Sequence, residues 1–393
     1  MQTIHDVLVI GAGPAGSTAA RLLSYAGWNV ALVEKSAFPR RKVCGEFISR
    51  SSQSLLPGDP LAEGFQVASG PEIKRVGLFV KDVIVDAPMP FARGSGWGRA
   101  IGRDRLEAAL VQAAAERGAR VWQPWKLTCL QRESDAHVAT ITCGDEARRI
   151  WARQVIAASG SWERNSFADM HAQPHEPGDL LAFKRHFRND NLAGDLMPLF
   201  AFPGGYGGMV HTGDGRLSLS FCVRRDVLQR CRDAHPGGSA GEAALQYIAD
   251  CCAGVRDTLL GAEPEGHWLA AGPIRPGIRK RYMDGIFFTG NLAGEAHPIV
   301  AEGISMAMQS AWLLCQILVE QRDAVLAGEP ATAGRMYSQR WRRTFAGRIR
   351  AAALFAKLAM HPKADLGARL VALFPQLLTF GARLSGKALQ LAG

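Results

Sequence analysis

The sequence lacks three features that would place it in other protein classes. It contains eight cysteines, but none forms a Cys-x-x-Cys pair and their spacing does not repeat. Scattered cysteines in a chain of 393 residues are typical of reduced core residues, so we expect neither disulfides nor a bound metal. No apolar run reaches the roughly 18 to 20 residues of a membrane span, and no signal peptide is predicted. These absences favour a cytoplasmic protein.

Acidic residues are scarce at the C-terminal end. Between Arg340 and Gly393 there are ten lysines and arginines and one acid, Asp365, whereas the rest of the chain is close to neutral. No recognition helix, zinc finger or RNA-binding motif accompanies this charge, so nucleic acid is not expected as a partner. Two interpretations of the tail stay open. Its helices pack on the protein with their basic faces in water, or they form an amphipathic element that contacts a membrane surface.

The first residues have the pattern of a nucleotide-binding βαβ unit. A β-rich run, His5–Ile10, is followed by a helical pattern over Pro14–Tyr25 and a second strand over Asn29–Val33. The connection reads Gly-Ala-Gly-Pro-Ala-Gly, a spacing that permits a tight turn, close approach of a pyrophosphate and close helix packing. Glu34 ends the second strand, where a carboxylate can bind a ribose diol. The sequence therefore predicts a dinucleotide site.

A second glycine-rich stretch, Gly290–Ala311, reads GNLAGEAHPIVAEGISMAMQSA. It resembles the flavin-contacting motif of the superfamily that comprises geranylgeranyl reductases and flavoprotein monooxygenases. The motif's aspartate is Asn291 here, and one of its glycines is Ala301. Two further segments are similar to the same superfamily: Pro39–Glu46, with the form Pro-Arg-x-Lys-x-Cys-Gly, and the helical segment that begins at Arg103.

The resemblance implies an α/β fold with a Rossmann-type FAD-binding domain, similar to glutathione reductase-2 and p-hydroxybenzoate hydroxylase. We expect this domain at 1–165 and 272–325, an inserted, mainly antiparallel substrate-binding sheet at 166–271, and a basic helical region at 326–393. FAD is expected to bind non-covalently. The predicted FAD contacts are Gly11, Ala12, Gly13, Pro14, Ala15, Gly16, Glu34, Lys35, Lys42, Cys44, Gly45, Arg103, Gly290, Asn291, Pro298, Gly303 and Ile304.

Three side chains are candidates for the chemistry itself. By the resemblance, the loop after Glu34 passes over the flavin, so Cys44 is expected near the isoalloxazine ring, as a reacting thiol or as a packing residue. His297 precedes the proline of the flavin motif and is expected to face the ring and to move a proton, or to be structural. Tyr206 lies in a glycine-rich run similar to the superfamily's substrate-side strand.

The sequence indicates the reaction less clearly than it indicates the cofactor. The Asp-Gly motif of classical hydroxylases is replaced by a stretch with Ser159 in the aspartate's place, and the Trp-x-Trp-x-Ile-Pro signature of flavin halogenases is missing. The sequence favours a monooxygenase that hydroxylates a lipophilic or aromatic molecule in secondary metabolism, with NAD(P)H as reductant. The alternative is a reductase or dehydrogenase acting on an isoprenoid. A halogenase and a flavin-binding module without activity are less favoured.

Overall fold

The computed structural model describes residues 3–53, 55, 68–90, 96–133, 135–161 and 174–387. The strands are β1 Ile4–Ile10, β2 Val30–Val33, β3 Phe47–Ile48, β4 Arg75–Val80, β5 Val83–Pro88, β6 Arg99–Ala100, β7 Arg120–Trp122, β8 Lys126–Glu133, β9 Ala136–Cys143, β10 Glu146–Ala157, β11 Leu180–Arg188, β12 Leu196–Phe202, β13 Gly205–Thr212, β14 Arg216–Arg224, β15 Glu263–Ile274, β16 Gly277–Ile278, β17 Tyr282–Met283, β18 Ile286–Phe288 and β19 Gly294–Glu295. The α-helices are α1 Pro14–Tyr25, α2 Arg50–Gln53, α3 Arg103–Glu116, α4 Arg225–Ala234, α5 Ala240–Cys251, α6 Ala253–Thr258, α7 Gly303–Glu320, α8 Arg322–Leu326, α9 Ala331–Ala359, α10 Ala364–Leu373 and α11 Gln376–Leu384.

The first sheet is the predicted nucleotide-binding sheet. Its strands run in the order β17-β18-β10-β1-β2-β7, and β1 pairs in parallel with both β2 and β10. The strands β1 and β2 are almost continuously apolar because both of their faces are covered, as expected for central parallel strands. The helix α1 packs between this sheet and the helices α3 and α7. The predicted βαβ unit and the α/β class are confirmed.

The second sheet has the order β15-β11-β14-β13-β12-β4-β5 and is antiparallel except between β12 and β4. This corrects one domain boundary. The hairpin Arg75–Val80 and Val83–Pro88 was expected in the FAD-binding domain at 1–165, but it extends the edge of the second sheet. Period-two alternation identifies a strand without telling which sheet it joins. The substrate-side sheet is therefore built from two separate stretches of chain.

The C-terminal region is helical, with breaks near Pro362 and Pro375. Its first helix, α9, runs for 29 residues and packs on α7 of the FAD-binding part. The shorter helices α10 and α11 pack on β4 and β5 of the second sheet. The region at 326–393 is therefore not an independent domain, because its helices cover both sheets.

A buried cluster of charges joins the two sheets. Glu46 ends the segment Pro39–Glu46, which we call the cysteine loop, and has a left-handed backbone, with φ of 62°. Its carboxylate pairs with Lys184 and lies 3.0 Å from Nε2 of His186, both on β11, and it accepts the backbone N–H of Arg103 at 3.1 Å. Burial raises the pKa of Glu46, but Lys184 and His186 outweigh this effect and lower it to about 2. The carboxylate is thus ionised at neutral pH, and it fixes the loop against β11.

We expect Lys184→Met to lower the free energy of unfolding by about 3–5 kcal/mol, because it removes the main partner of a buried carboxylate. Chemical denaturation measures this loss. The double variant Glu46→Gln, Lys184→Met should recover much of it, since no unpaired charge then stays buried. Equal stability of the single and double variants would contradict this role.

The depressed pKa of Glu46 also implies a stabilisation that is complete above pH 4.5 and is lost as the pH falls towards about 2.

Candidate functional site

A cavity of about 450 Å³ lies between the two sheets, within the range of about 300–1,000 Å³ that is usual for small-molecule and cofactor sites. Its walls come from the N-terminal glycine turn, the cysteine loop, the second glycine-rich stretch and the second sheet. The predicted site residues that line it are Gly11, Gly13, Pro14, Ala15, Glu34, Lys42, Cys44, Gly45, Arg103, Tyr206, Gly290, Asn291, His297, Pro298, Gly303 and Ile304. Segments that are far apart in the sequence therefore meet in one place.

The glycines at one end of the cavity are required by close backbone contacts. Gly11 has φ of 99°, and a Cβ there would lie 2.6 Å from Cα of Ser159. A Cβ on Gly16 would lie 1.8 Å from the carbonyl oxygen of Gly11. At Gly13, by contrast, the nearest atom to a Cβ is an oxygen of Glu107 at 3.8 Å, so the backbone is open to close approach from the cavity. This is the cradle that a pyrophosphate needs at the start of a helix.

Glu34 is held in place by backbone and side-chain donors. Its Oε2 accepts the N–H of Ala12 at 2.9 Å, and its Oε1 accepts the N–H of Ser36 at 2.9 Å. The guanidinium of Arg40 donates to Glu34 at 2.6 Å and to Glu107 at 2.8 Å. Glu34 therefore presents a fixed carboxylate at the cavity wall, as a ribose-binding acid requires, and Arg40 links it to α3.

Arg103 begins α3 and faces the same end of the cavity. It pairs with Glu107, one turn further along the helix, and lies beside Cys44. Burial lowers the pKa of Arg103, but Glu107 outweighs this effect and keeps the guanidinium charged. Its Nε is buried without a hydrogen-bond partner among the described residues, so a donor is left over for an anionic group. The sequence analysis did not identify Glu107 as a site residue. The signal that could have indicated it is an acidic residue on a helix face that is otherwise rich in alanine and leucine.

The second glycine-rich stretch forms the neighbouring wall. The side-chain amide of Asn291 donates to Glu295 at 3.0 Å, and the backbone carbonyl oxygen of Asn291 accepts from Arg279 at 2.7 Å. The side chain that replaces the motif's aspartate is therefore oriented by its own neighbours. Ala301 occupies the motif's missing glycine in a left-handed conformation, with φ of 52°.

Three predicted contacts do not line the cavity. The N–H of Ala12 is used by Glu34, and Gly16 packs against Gly11 behind the turn. The side chain of Lys35 is exposed and does not line the cavity. The position of Lys35 does not support its predicted cofactor contact. The other residues fit FAD: a cradle for the pyrophosphate, an acid for the ribose and an unpaired donor.

Cys44 lies where the cysteine loop meets the cavity. Its Sγ accepts the N–H of Glu46 at 3.4 Å, and its side chain is partly buried. A Cβ on the next residue, Gly45, would lie 3.6 Å from Oγ of Ser220 on β14, which places the loop directly against the second sheet. Cys44 therefore lies at the cavity wall, and its predicted position near the isoalloxazine ring stays a prediction.

Tyr206 and His297 meet although 91 residues separate them. Oη of Tyr206 lies 3.1 Å from Nδ1 of His297. Burial lowers the pKa of His297 to about 4 and raises the pKa of Tyr206 well above its usual value. Behind them, burial raises the pKa of the Cys222 thiol to about 12. All three groups are therefore neutral at neutral pH, and this wall carries a hydrogen-bonded pair without charge.

Comparison with known proteins agrees with the geometry. Residues 5–168 match the family model of an FAD binding domain. The chain is similar to the superfamily of FAD-dependent oxidoreductases that includes the geranylgeranyl reductases. A digeranylgeranylglycerophospholipid reductase of Methanothermobacter thermautotrophicus is 27% identical over 81% of this oxidoreductase and 77% of its own length. A menaquinone reductase of Mycolicibacterium smegmatis is 23% identical over the same shares of the two chains.

A third relative is named as a receptor and not as a reductase. Conditioned medium factor receptor 1 of Dictyostelium discoideum is 26% identical over 81% of the oxidoreductase, which spans 64% of that protein's length. Among solved structures, a flavin-dependent brominase superposes with a TM-score of 0.76 at 19% identity, covering 98% of this chain and 94% of the other. A geranylgeranyl bacteriochlorophyll reductase-like protein of Thermoplasma acidophilum superposes with a TM-score of 0.68 at 19% identity, covering 98% and 100%. At these identities the structures establish the shared fold.

Neither a membrane-spanning helix nor a metal-binding cluster is present in the part of the oxidoreductase that the structure describes. No helix there is both long and apolar enough to cross a membrane. No three His, Cys, Asp or Glu side chains come together there in a way that could hold a metal ion.

We expect Glu34→Ala to yield mostly FAD-free protein, because the variant loses the fixed carboxylate at the ribose position. The flavin-to-protein absorbance ratio of the purified protein measures the loss. Glu116→Ala, at the end of α3, is the matched control and should keep full flavin content. Full occupancy in Glu34→Ala would mean that the acid does not hold the cofactor.

Proposed function

We propose that this oxidoreductase reduces carbon–carbon double bonds of a long, largely apolar substrate such as an isoprenoid. The observation that carries the proposal is the uncharged pair of Tyr206 and His297 at the wall of a mainly apolar half of the cavity, where the nearby Glu295 is paired with Arg279. The two relatives with reductase names, which match most of the chain, support the same reaction. The proposed class of substrate rests on the apolar lining of the cavity and not on these names.

The second sheet gives its half of the cavity an apolar lining. The side chains there are mainly hydrocarbon, thioether and aromatic, contributed by β12 to β15: Met197, Leu199, Met209, Phe221, Leu269 and Ile274. Such a wall favours a hydrocarbon chain, because transfer of apolar surface out of water is favourable by about 25 cal/mol per Å². Ionised groups such as Glu34, Arg40 and Arg103 lie at the opposite, cofactor end. The cavity therefore has one end for an anionic cofactor and one for an apolar substrate.

Reduction of a double bond adds a hydride and a proton. Bound FAD supplies the hydride in its reduced form. The proton must come from a group of the protein or from water. Because the pKa of His297 is lowered to about 4, its imidazole is neutral, and a neutral imidazole that accepts at Nδ1 carries its proton on Nε2. Tyr206 fixes that tautomer by donating to Nδ1, so we propose that the pair orients and replenishes the transferred proton.

We also propose roles for the remaining partners. NAD(P)H is the proposed reductant of the flavin, although the classical hydroxylase motif is absent at Ser159. Cys44 is proposed to contact the substrate side of the flavin, since it lies at the cavity wall between the Arg103 guanidinium and the second sheet.

A monooxygenase is the second candidate, and one observation favours it. The sequence Cys-Gly-Glu at 44–46 is similar to that of secondary-metabolism hydroxylases, and Glu46 is built into a buried ion pair with Lys184. The glutamate is therefore an integral part of the loop that covers the cavity. In a monooxygenase reaction O2 is a co-substrate, and one of its oxygen atoms enters the product.

The two candidates predict different oxygen requirements. We expect the FAD-loaded protein, supplied with NADPH or a chemical reductant in the absence of O2, to convert a polyprenyl lipid into a product with two more hydrogens per double bond. Mass spectrometry of the lipid measures the gain. A strict requirement for O2 with incorporation of one oxygen atom would instead establish the monooxygenase.

Substitutions in the substrate half test the proposed roles. Tyr206→Phe and Cys44→Ser should retain FAD but lower kcat, by about 10²-fold or more for Tyr206→Phe if it supports proton transfer. The pH profile of the wild type should show no titration near 6.5 and should fall as the pH decreases through about 4, where His297 takes up a proton. Unchanged kcat in both variants would reduce these side chains to packing residues.

A further inference from the structure

Large apolar side chains are exposed mainly in one short part of the chain. Of the fifteen large apolar residues that are exposed within the described ranges, nine lie between 354 and 384. They are Leu354, Leu358, Leu366, Leu370, Leu373, Phe374, Leu377, Phe380 and Leu384. Isolated apolar side chains on a protein surface are normal and need no explanation, whereas these nine are concentrated in one short stretch. We call this set the apolar face.

The apolar face is formed by helices that turn their small residues inward. On α10 the buried residue is Ala368, whereas Leu366, Leu370 and Leu373 follow helical spacing on the outer side. On α11 the buried residue is Ala382, and its apolar residues at 377, 380 and 384 share the outer side. A helix that only covers a core would place its leucines inward. These helices rest on β4 and β5 and present their leucines to the outside.

The surroundings of the apolar face are basic. Five exposed cationic side chains lie within or beside it: Arg350, Lys357, Lys363, Arg383 and Arg369, the last of which lies 3.4 Å from Asp82. The acid in this stretch, Asp365, is paired with Lys81 at 3.0 Å. The surface therefore combines exposed hydrocarbon with a net positive charge, the combination found in helices that lie in a membrane interface.

The apolar face lies over the substrate half of the cavity. The turn of α9 that exposes Leu354 and Leu358 buries Ala356 on its other side, in a cluster with Tyr206 and Cys222. Further along, Ala382 of α11 belongs to a buried cluster against which Ala301 of the second glycine-rich stretch is packed. The same helices thus contact the cavity wall on one side and present the apolar face on the other.

We infer that the apolar face binds the surface of an anionic lipid bilayer. The anionic headgroups meet the basic side chains while the leucines and phenylalanines enter the interface. A second copy of this chain is a poorer occupant, because a symmetric interface would bring the basic side chains of both copies together. The inference concerns binding alone and does not depend on which reaction the site performs.

Vesicle sedimentation with the FAD-loaded full-length protein tests the inference. The probes are vesicles of phosphatidylglycerol and phosphatidylcholine in equal parts, and vesicles of phosphatidylcholine alone. We expect the protein to sediment with the anionic vesicles at low salt, much less at high salt and least with the neutral ones. Lys357→Gln and Lys363→Gln should each weaken binding about fivefold, the equivalent of about 1 kcal/mol per charge.

A triple variant separates the apolar contribution from charge. Leu370→Ser, Leu373→Ser and Phe374→Ser change side chains that are 52%, 74% and 56% exposed, so folding and flavin content should be unaffected, while binding should fall more than tenfold. Leu260→Ser, at a position that is 74% exposed elsewhere on the protein, is the matched control and should bind like the wild type. Absence of binding to anionic vesicles at low salt would overturn the inference. So would equal binding by the triple variant and the wild type, or sedimentation equilibrium showing a dimer that the triple variant abolishes.

Discussion

The substrate side of the cavity depends on one buried ion pair, between Glu46 of the cysteine loop and Lys184 of the second sheet. Removing two charges from water costs several kcal/mol per ion, so such a pair persists only where its remaining hydrogen-bonding capacity is met. Here His186 and the N–H of Arg103 complete the shell of the carboxylate. Because these partners belong to β11 and to the start of α3, the loop has one position relative to both sheets. Cys44 and Gly45 therefore face the cavity from a fixed backbone.

The cofactor end could be predicted from the sequence because its determinants are local. A tight turn, a close helix crossing and an acid at the end of the second strand lie within about two dozen residues. Each of these features requires a residue type that few others can replace. The contacts at Gly11 and Gly16 explain this constraint in the structure, since a Cβ at either position would overlap backbone atoms. Lys35 shows the limit of the approach. It directly follows the buried Glu34, yet its side chain is exposed and does not line the cavity.

The substrate end could not be predicted to the same degree, because its contacts join distant segments. Nothing in the run containing Tyr206 indicates that its hydroxyl meets His297, and a lysine and a histidine on β11 look like ordinary surface residues of a strand. The hairpin Arg75–Pro88 shows the same difficulty at the level of topology, since the pairing of edge strands depends on which sheet passes nearby. Composition and periodicity describe a segment, whereas these features belong to pairs of segments.

The end of the chain shows how electrostatics inside the protein determines what it exposes outside. Lys387 lies 3.3 Å from Glu302, which directly precedes α7, and donates to the carbonyl oxygen of Val300. Burial outweighs the carboxylate of Glu302 and lowers the pKa of Lys387, so the carbonyl oxygen of Val300 and the Glu302 carboxylate hold the amine together. Arg348 on α9 donates to the carbonyl oxygen of Ser385 at 3.2 Å and fixes the same segment. These contacts fix the segment that follows α11, while the packing of α10 and α11 on β4 and β5 turns their small residues inward and their leucines outward. The exposed apolar residues are thus a consequence of how the chain is anchored, and the anchor is part of the wall that encloses the cofactor site.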